Sequence, residues 1–220
     1  MITACLFDLD GVIVDTARFH YKAWRRLAAG LGFGFTEHDN ERLKGVSRMR
    51  SLDILLETGG MAGRFTDADK QKMADVKNGW YLEYVAAMTS SDVLPGVTDF
   101  IADLRRHGVA TALASSSRNA EVILRRTGIT ALFDAVVDGN DITRAKPDPQ
   151  VFLTAASRVG AGPGGCVVFE DAEAGVEAAV AAGMRCVGIG SAERLSHADA
   201  VLPGLEGVDY EYLKKAIDHE

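Results

Sequence analysis

Two aspartates separated only by Leu9, Asp8 and Asp10, end the first apolar run of the chain, and Gly11 follows them. Packing gives no reason for carboxylates there, because an unpaired buried charge is costly. Placed just beyond a strand, they can hold a metal or attack an electrophile. Three further stretches repeat the pattern. Ser115-Ser116-Ser117-Arg118-Asn119 follows the apolar run Val109–Ala114, Lys146 precedes Pro147, and Glu170-Asp171 follows Cys166–Phe169. Oxygen ligands with few nitrogens or thiols suit Mg²⁺ rather than Zn²⁺. Serine hydroxyls and backbone N–H groups at a helix start suit phosphate, and a lysine ammonium suits one of its oxygens. A second cationic group, Lys44, Ser47, Arg48 and Arg50, gathers near another helix start. This constellation describes phosphoryl transfer, in which positioning and charge neutralisation do most of the catalysis.

The elements that must place these residues alternate. Strand patterns over 109–114, 135–137, 166–169 and 185–189 are interleaved with helical patterns over 119–127, 149–159 and 174–182, and a last helix is expected over 210–217. That rhythm predicts an α/β fold, a Rossmann-like parallel sheet whose strands end at one edge. Residues 16–92 read as wholly helical and interrupt it. Phe19, Ala23, Trp24, Leu27 and Leu31 recur at helical spacing, with Asp15 or Thr16 as the cap. A helix–turn–helix spans 41–57 with Gly45 at the turn and Ser47 as cap, and a long helix after Thr66 presents Met73, Val76, Trp80, Tyr84 and Met88 on one face. The expected division is a core of 1–15 and 93–220 with a helical insertion of 16–92. Gly188-Ile189-Gly190 lacks the third glycine of a dinucleotide loop and is not read as one.

At 220 residues and 47% hydrophobic, the chain can bury a sizeable core. A net charge of −7 argues against nucleic acid as a partner, so an anionic substrate needs local cations or a metal. Cys5, Cys166 and Cys186 lie in strand-like runs without metal-type spacing and read as buried thiols of a reducing compartment. No run is long enough to span a bilayer and no signal-peptide pattern opens the chain, so the expected location is the cytoplasm and no membrane partner is expected.

Asp8-Leu9-Asp10-Gly11-Val12, the Ser115 strand end, Lys146-Pro147 and Glu170-Asp171 with Gly175, in that order, resemble the haloacid dehalogenase superfamily. The helical insertion resembles that superfamily's small cap. Phe7 to Thr16, His20, Trp24, the run Leu43-Lys44-Gly45-Val46-Ser47-Arg48 with Ser51-Leu52, and Leu113 to Asn119 are similar to the β-phosphoglucomutase family within it. The resemblance implies interconversion of β-glucose 1-phosphate and glucose 6-phosphate through a phospho-aspartate, with glucose 1,6-bisphosphate as intermediate and activator. It implies Asp8 as nucleophile, Asp10 as general acid and base, and Thr16 and His20 near the cap hinge. One Mg²⁺ would be held by Asp8, the Asp10 carbonyl and Asp171, with Glu170 close by. Ser115 and Lys146 would bind the transferring phosphoryl group, with Ser116 beside it. Arg48, Ser117, Arg118 and Asn119 would hold the other phosphate, and Lys44, Gly45, Val46, Ser47 and Ser51 would line the sugar side. The partner is then a small sugar phosphate and the protein a monomer.

The sequence departs from that family's pattern at Ser116, Ala172 and Gln150. Two other readings stay open: a Mg²⁺-dependent sugar-phosphate phosphatase of the same superfamily, and a non-catalytic sugar-phosphate binder.

Overall fold

The central strands alternate their side chains between two separate cores. In β1 (Ala4–Phe7), Cys5 and Phe7 enter one apolar cluster while Ala4 and Leu6 enter the other, the two-residue period of an extended chain buried on both faces. The computed structural model describes residues 1–43 and 45–218. After β1 come α1 (Ala17–Gly30), α2 (Glu37–Glu41), α3 (Arg48–Thr58), α4 (Asp67–Val85) and α5 (Val97–Arg106). Then β2 (Ala110–Ala114), α6 (Ala120–Thr127), β3 (Ala135–Val137), α7 (Gln150–Arg158), β4 (Cys166–Glu170), α8 (Glu173–Ala181), β5 (Arg185–Ile189), β6 (Ala200–Leu202) and α9 (Tyr210–Asp218) follow.

The six strands are all parallel, in the order β3-β2-β1-β4-β5-β6. Helices α5, α6 and α9 cover one face through Phe100, Ile123 and Leu213, and α7 and α8 the other through Phe152 and Val176. The chain leaves β1 toward β2 on one side and returns to β4 on the other, so β1 stands where the winding reverses, the place where open α/β sheets bind ligands. Phe7 pairs with Leu113 and with Phe169, so the carboxyl ends of β1, β2 and β4 emerge side by side. Phe7 stacks on Phe169 at 4.8 Å between ring centroids, with Phe100 edge-on to both at 6.2 and 5.4 Å, a rigid floor beneath that edge.

Between β1 and β2 the chain is helical, and α1, α3 and α4 enclose a third cluster built on Trp24, Leu27, Leu52, Leu55 and Ala74. Two expectations need correction here. The first helix of the pair expected over 41–57 lies earlier, at Glu37–Glu41, because Thr36 and Asp39 cap each other's backbone N–H groups at its start. On α4 the buried stripe is Ala74, Lys77, Tyr81 and Val85, whereas Val76 is 50% exposed. Met73, Trp80 and Tyr84 pack only at its borders, and Met88 lies past the helix end. The edge strand β6 carries too short an apolar signal to have been anticipated. Cys5, Cys166 and Cys186 are buried free thiols, as expected. Among the described residues no helix is long and apolar enough to cross a membrane.

Candidate active site

Lys146 comes from the loop between β3 and α7 and is buried behind the carboxyl ends of β1 and β4. Its Nζ donates to Asp8 Oδ1 at 2.5 Å, to the Ala114 carbonyl at 3.2 Å and to Glu170 Oε1. Glu170 Oε2 accepts the Ala172 N–H at 3.1 Å, so both its oxygens are engaged. Burial works against the ammonium, but the charges of Asp8 and Glu170 outweigh it and hold the amine above its ordinary range. Burial raises Glu170, with Lys146 opposing.

Asp10 donates its backbone N–H to Asp8 Oδ2 at 3.0 Å. Its side chain is 26% exposed, with Oδ1 enclosed and lacking a partner among the described residues. Burial, reinforced by the Asp8 charge, pushes its carboxyl up to about 8. A carboxyl raised in this way is suited to act as a general acid.

His20 Nε2 lies 3.9 Å from Asp10 Oδ2. Its Nδ1 is 2.7 Å from Lys77 Nζ, and its ring stacks on Tyr81 at 4.0 Å. The ring nitrogen that faces Asp10 is Nε2. Lys77 is only 1% exposed and lies 4.3 Å from the centre of the Trp24 ring. Burial and then the Arg48 charge hold it well below the usual lysine range; burial, Lys77 and Arg48 lower His20 likewise. Sequence reasoning missed Lys77. Its helical spacing from Ala74, Tyr81 and Val85 is outweighed in the sequence by the larger Met73, Val76, Trp80 and Tyr84 one position away.

The helical insertion supplies one wall. Gly45 has φ +72, and a Cβ there would stand 3.0 Å from that of Ala172, so the insertion turn lies directly on the loop after β4. Ser47 Oγ caps α3 by accepting the Arg50 N–H at 3.3 Å, which sets Arg48 in the first turn. Burial, then the like charge of Arg118, lowers the Arg48 guanidinium, with Asp75 opposing. The core supplies the facing wall. Ser115 Oγ accepts from Ser117 N–H and Ser117 Oγ from Asn119 N–H, each at 3.2 Å. Asn119 Nδ2 crosses to Asn78 Oδ1 on α4 at 2.9 Å. The Ser116 hydroxyl is enclosed without a partner among the described residues.

The two walls enclose a cavity of about 330 Å³, lined by Asp8, Asp10, His20, Gly45, Val46, Ser47, Arg48, Ser51, Ser115, Ser116, Ser117, Arg118, Asn119 and Asp171. Met49, Gln71 and Lys77 also line it without having been anticipated. Lys146 and Glu170 stand behind this lining. Thr16 is not brought to it; the residue is buried at the start of α1, where its side chain makes no cap bond. Lys44 lies outside the described residues.

One carboxylate oxygen from each of Asp8, Glu170 and Asp171 lies within 4.8 Å of the others, a donor set that fits a hard divalent cation. The Asp10 carboxylate is not in this group. Two glycines leave room for the carboxylates: a Cβ on Gly11 would come 2.3 Å from Asp171 Oδ2, and one on Gly175 1.9 Å from Glu170 Cδ. Gly175→Ala must displace Glu170 from Lys146, so a loss of about 1–3 kcal/mol in urea unfolding is expected. A wild-type midpoint would mean that α8 shifts freely. Of the three departures, Gln150 does an acid's work while neutral, its Oε1 accepting the N–H groups of Thr143 and Arg144 at 3.1 and 2.8 Å.

A model of the haloacid dehalogenase-like hydrolases matches residues 2–183. The β-phosphoglucomutase of Bacillus subtilis is 43% identical over 90% of this chain and 88% of its own. The fructose-1-phosphate phosphatase YqaB of Escherichia coli is 34% identical over 84% of this chain and 94% of its own. The crystal structure of a β-phosphoglucomutase from Clostridium difficile superposes with a TM-score of 0.95 at 39% identity, covering 100% of this chain and 98% of that one. The chain belongs to the haloacid dehalogenase-like hydrolase family.

Proposed function

We propose that this enzyme is a phosphosugar mutase interconverting β-D-glucose 1-phosphate and glucose 6-phosphate, with residues 16–92 acting as a cap over the site. The observation that carries the reading is that the cavity holding Asp8 is also lined by two arginines, Arg48 and Arg118. Lys146 stands behind the lining, paired with Asp8 and Glu170, whereas Arg48 from the cap and Arg118 from the core both line the cavity. A phosphatase needs one phosphate site and a water. A mutase needs two anion sites, because its bisphosphate must turn round and present either end to the nucleophile.

In the first half-reaction an Asp8 oxygen attacks phosphorus, the phosphoester P–O bond breaks, and the leaving sugar oxygen takes the proton of Asp10. In the second, a sugar hydroxyl attacks the phospho-aspartate, Asp10 accepts its proton, and Asp8 is released. Lys146 and Ser115 hold the transferring group, and His20 with Lys77 holds Asp10 in place. Asp8 and Asp171, with the Asp10 carbonyl, would hold Mg²⁺, which neutralises phosphate charge when bound. Glu170 accepts from Lys146 and from the Ala172 N–H, and so also fixes that lysine. Closure of the cap excludes water and protects the acyl phosphate. No bilayer or nucleic acid enters this scheme, and we assign the activity to a cytoplasmic monomer.

The test is product analysis by ³¹P NMR with β-glucose 1-phosphate, Mg²⁺ and a trace of glucose 1,6-bisphosphate. Glucose 6-phosphate with little free phosphate is the expected result. Free phosphate as the main product would make the protein a phosphatase, the activity of its Escherichia coli relative. Binding without turnover would leave only the non-catalytic reading.

A further inference from the structure

Away from the cavity, one side chain touches both the cap and the loop that carries Asp171. Arg194 stands in the turn between β5 and β6. Its Nη1 donates to Glu41 Oε2 at 2.6 Å and its Nη2 to the Asp171 main-chain carbonyl at 3.2 Å. The turn that presents it is firmly seated. The N–H groups of Arg194 and Leu195 both donate to the Ser191 carbonyl, at 3.2 and 3.1 Å. Leu195 is buried so closely on Gly188 that a Cβ there would come within 3.0 Å of it. On the other side, Glu41 ends α2 just before the turn of Gly45, which rests on Ala172. The guanidinium therefore spans the seam between the substrate-side turn of the cap and the carboxylate loop of the core.

We propose that Arg194 is a positioning residue that latches the cap shut, pinning Glu41 to the Asp171 loop so that closure and placement of that loop occur together. The planar fork points its two Nη donors at separate oxygens, on Glu41 and on Asp171. The pair is open to solvent, with side chains 45% and 42% exposed. It therefore biases the closed form by only about two- to five-fold. That weakness suits a cap that must open to exchange ligand in every cycle.

The latch can be tested without knowing the substrate. The native cysteines are buried, so Arg64→Cys in the cap and Arg126→Cys in the core, both exposed, accept a donor and acceptor dye selectively. In this labelled protein Arg194→Ala is expected to raise the open fraction about two- to five-fold at low salt. About 0.5 M NaCl should open the Arg194 protein and leave the alanine variant nearly unchanged, because screening weakens exposed pairs. Arg194→Lys should fall between them. Equal transfer efficiencies for Arg194 and alanine at low salt, or a full salt response in the variant, would overturn the latch. The inference rests on the mutase reading only for a second readout, a two- to five-fold higher ratio of free phosphate to isomerised product. Failure of isomerisation in every protein would sink that reading while the dye measurement still decided the latch.

Discussion

Asp8→Asn is expected to abolish turnover, lowering it by at least about 10⁴-fold, the scale seen when a covalent nucleophile is removed. An amide does not form the bond to phosphorus, and Asp10, its carboxyl raised to about 8, is left as the proton carrier. The variant also tests the electrostatics. Asp8 accepts from Lys146 Nζ on one oxygen and from the Asp10 N–H on the other, so whichever way the amide turns, its NH₂ faces a donor. A loss of about 1–3 kcal/mol in stability follows from that mismatch. The Asp8 charge is the second cause of the raised Asp10 carboxyl, after burial. In Asp8→Asn, Asp10 should therefore titrate below about 8 and still above an ordinary aspartate, which ¹³C NMR of the carboxyl can follow. Turnover within tenfold of the wild type, with no phosphorylated protein in the mass spectrum, would remove Asp8 from the role of nucleophile.

The parts of this site legible in the sequence are those for which packing offers no explanation. Carboxylates and serines that end apolar runs have no place in a buried strand, and parallel topology alone gathers Asp8, Ser115, Glu170 and Asp171 at one edge. Lys77 was hidden for the opposite reason. A lysine on a helix with apolar residues on several sides reads as solvent-facing, and the larger Met73, Val76, Trp80 and Tyr84 drew the expected face one position away from the stripe that is buried. Tertiary contact with His20 and Trp24 fixes the helix rotation, and a single-sequence pattern does not contain it. What the sequence did not contain is the contact of Lys146 with Glu170, which only the fold brings about. Arg194 lies in a polar turn with no periodic signal at all, and only its reach to Glu41 and Asp171 marks it.

Arg48→Ala separates the mutase from the phosphatase. Arg48 comes from the cap and Arg118 from the core, and their like charges are held close in a partly desolvated place, an arrangement that an anion between them relieves. Removing Arg48 takes away the fork that would hold the far phosphate and leaves Asp8, Ser115 and Lys146 untouched. Isomerisation is expected to fall roughly 10²–10³-fold, the scale for truncating one member of a buried charged pair. Release of phosphate from a simple monophosphate should stay within about tenfold, since it needs only the Asp8 end. Arg48→Lys should recover part of the loss, because it restores charge without the bidentate fork. The substitution should also be felt at the acid–base end. The Arg48 charge helps to hold His20 and Lys77 low, so both should titrate higher in the alanine variant. An isomerisation rate within about threefold of the wild type would place the far phosphate elsewhere in the cavity and would leave the phosphatase as the better account of the site.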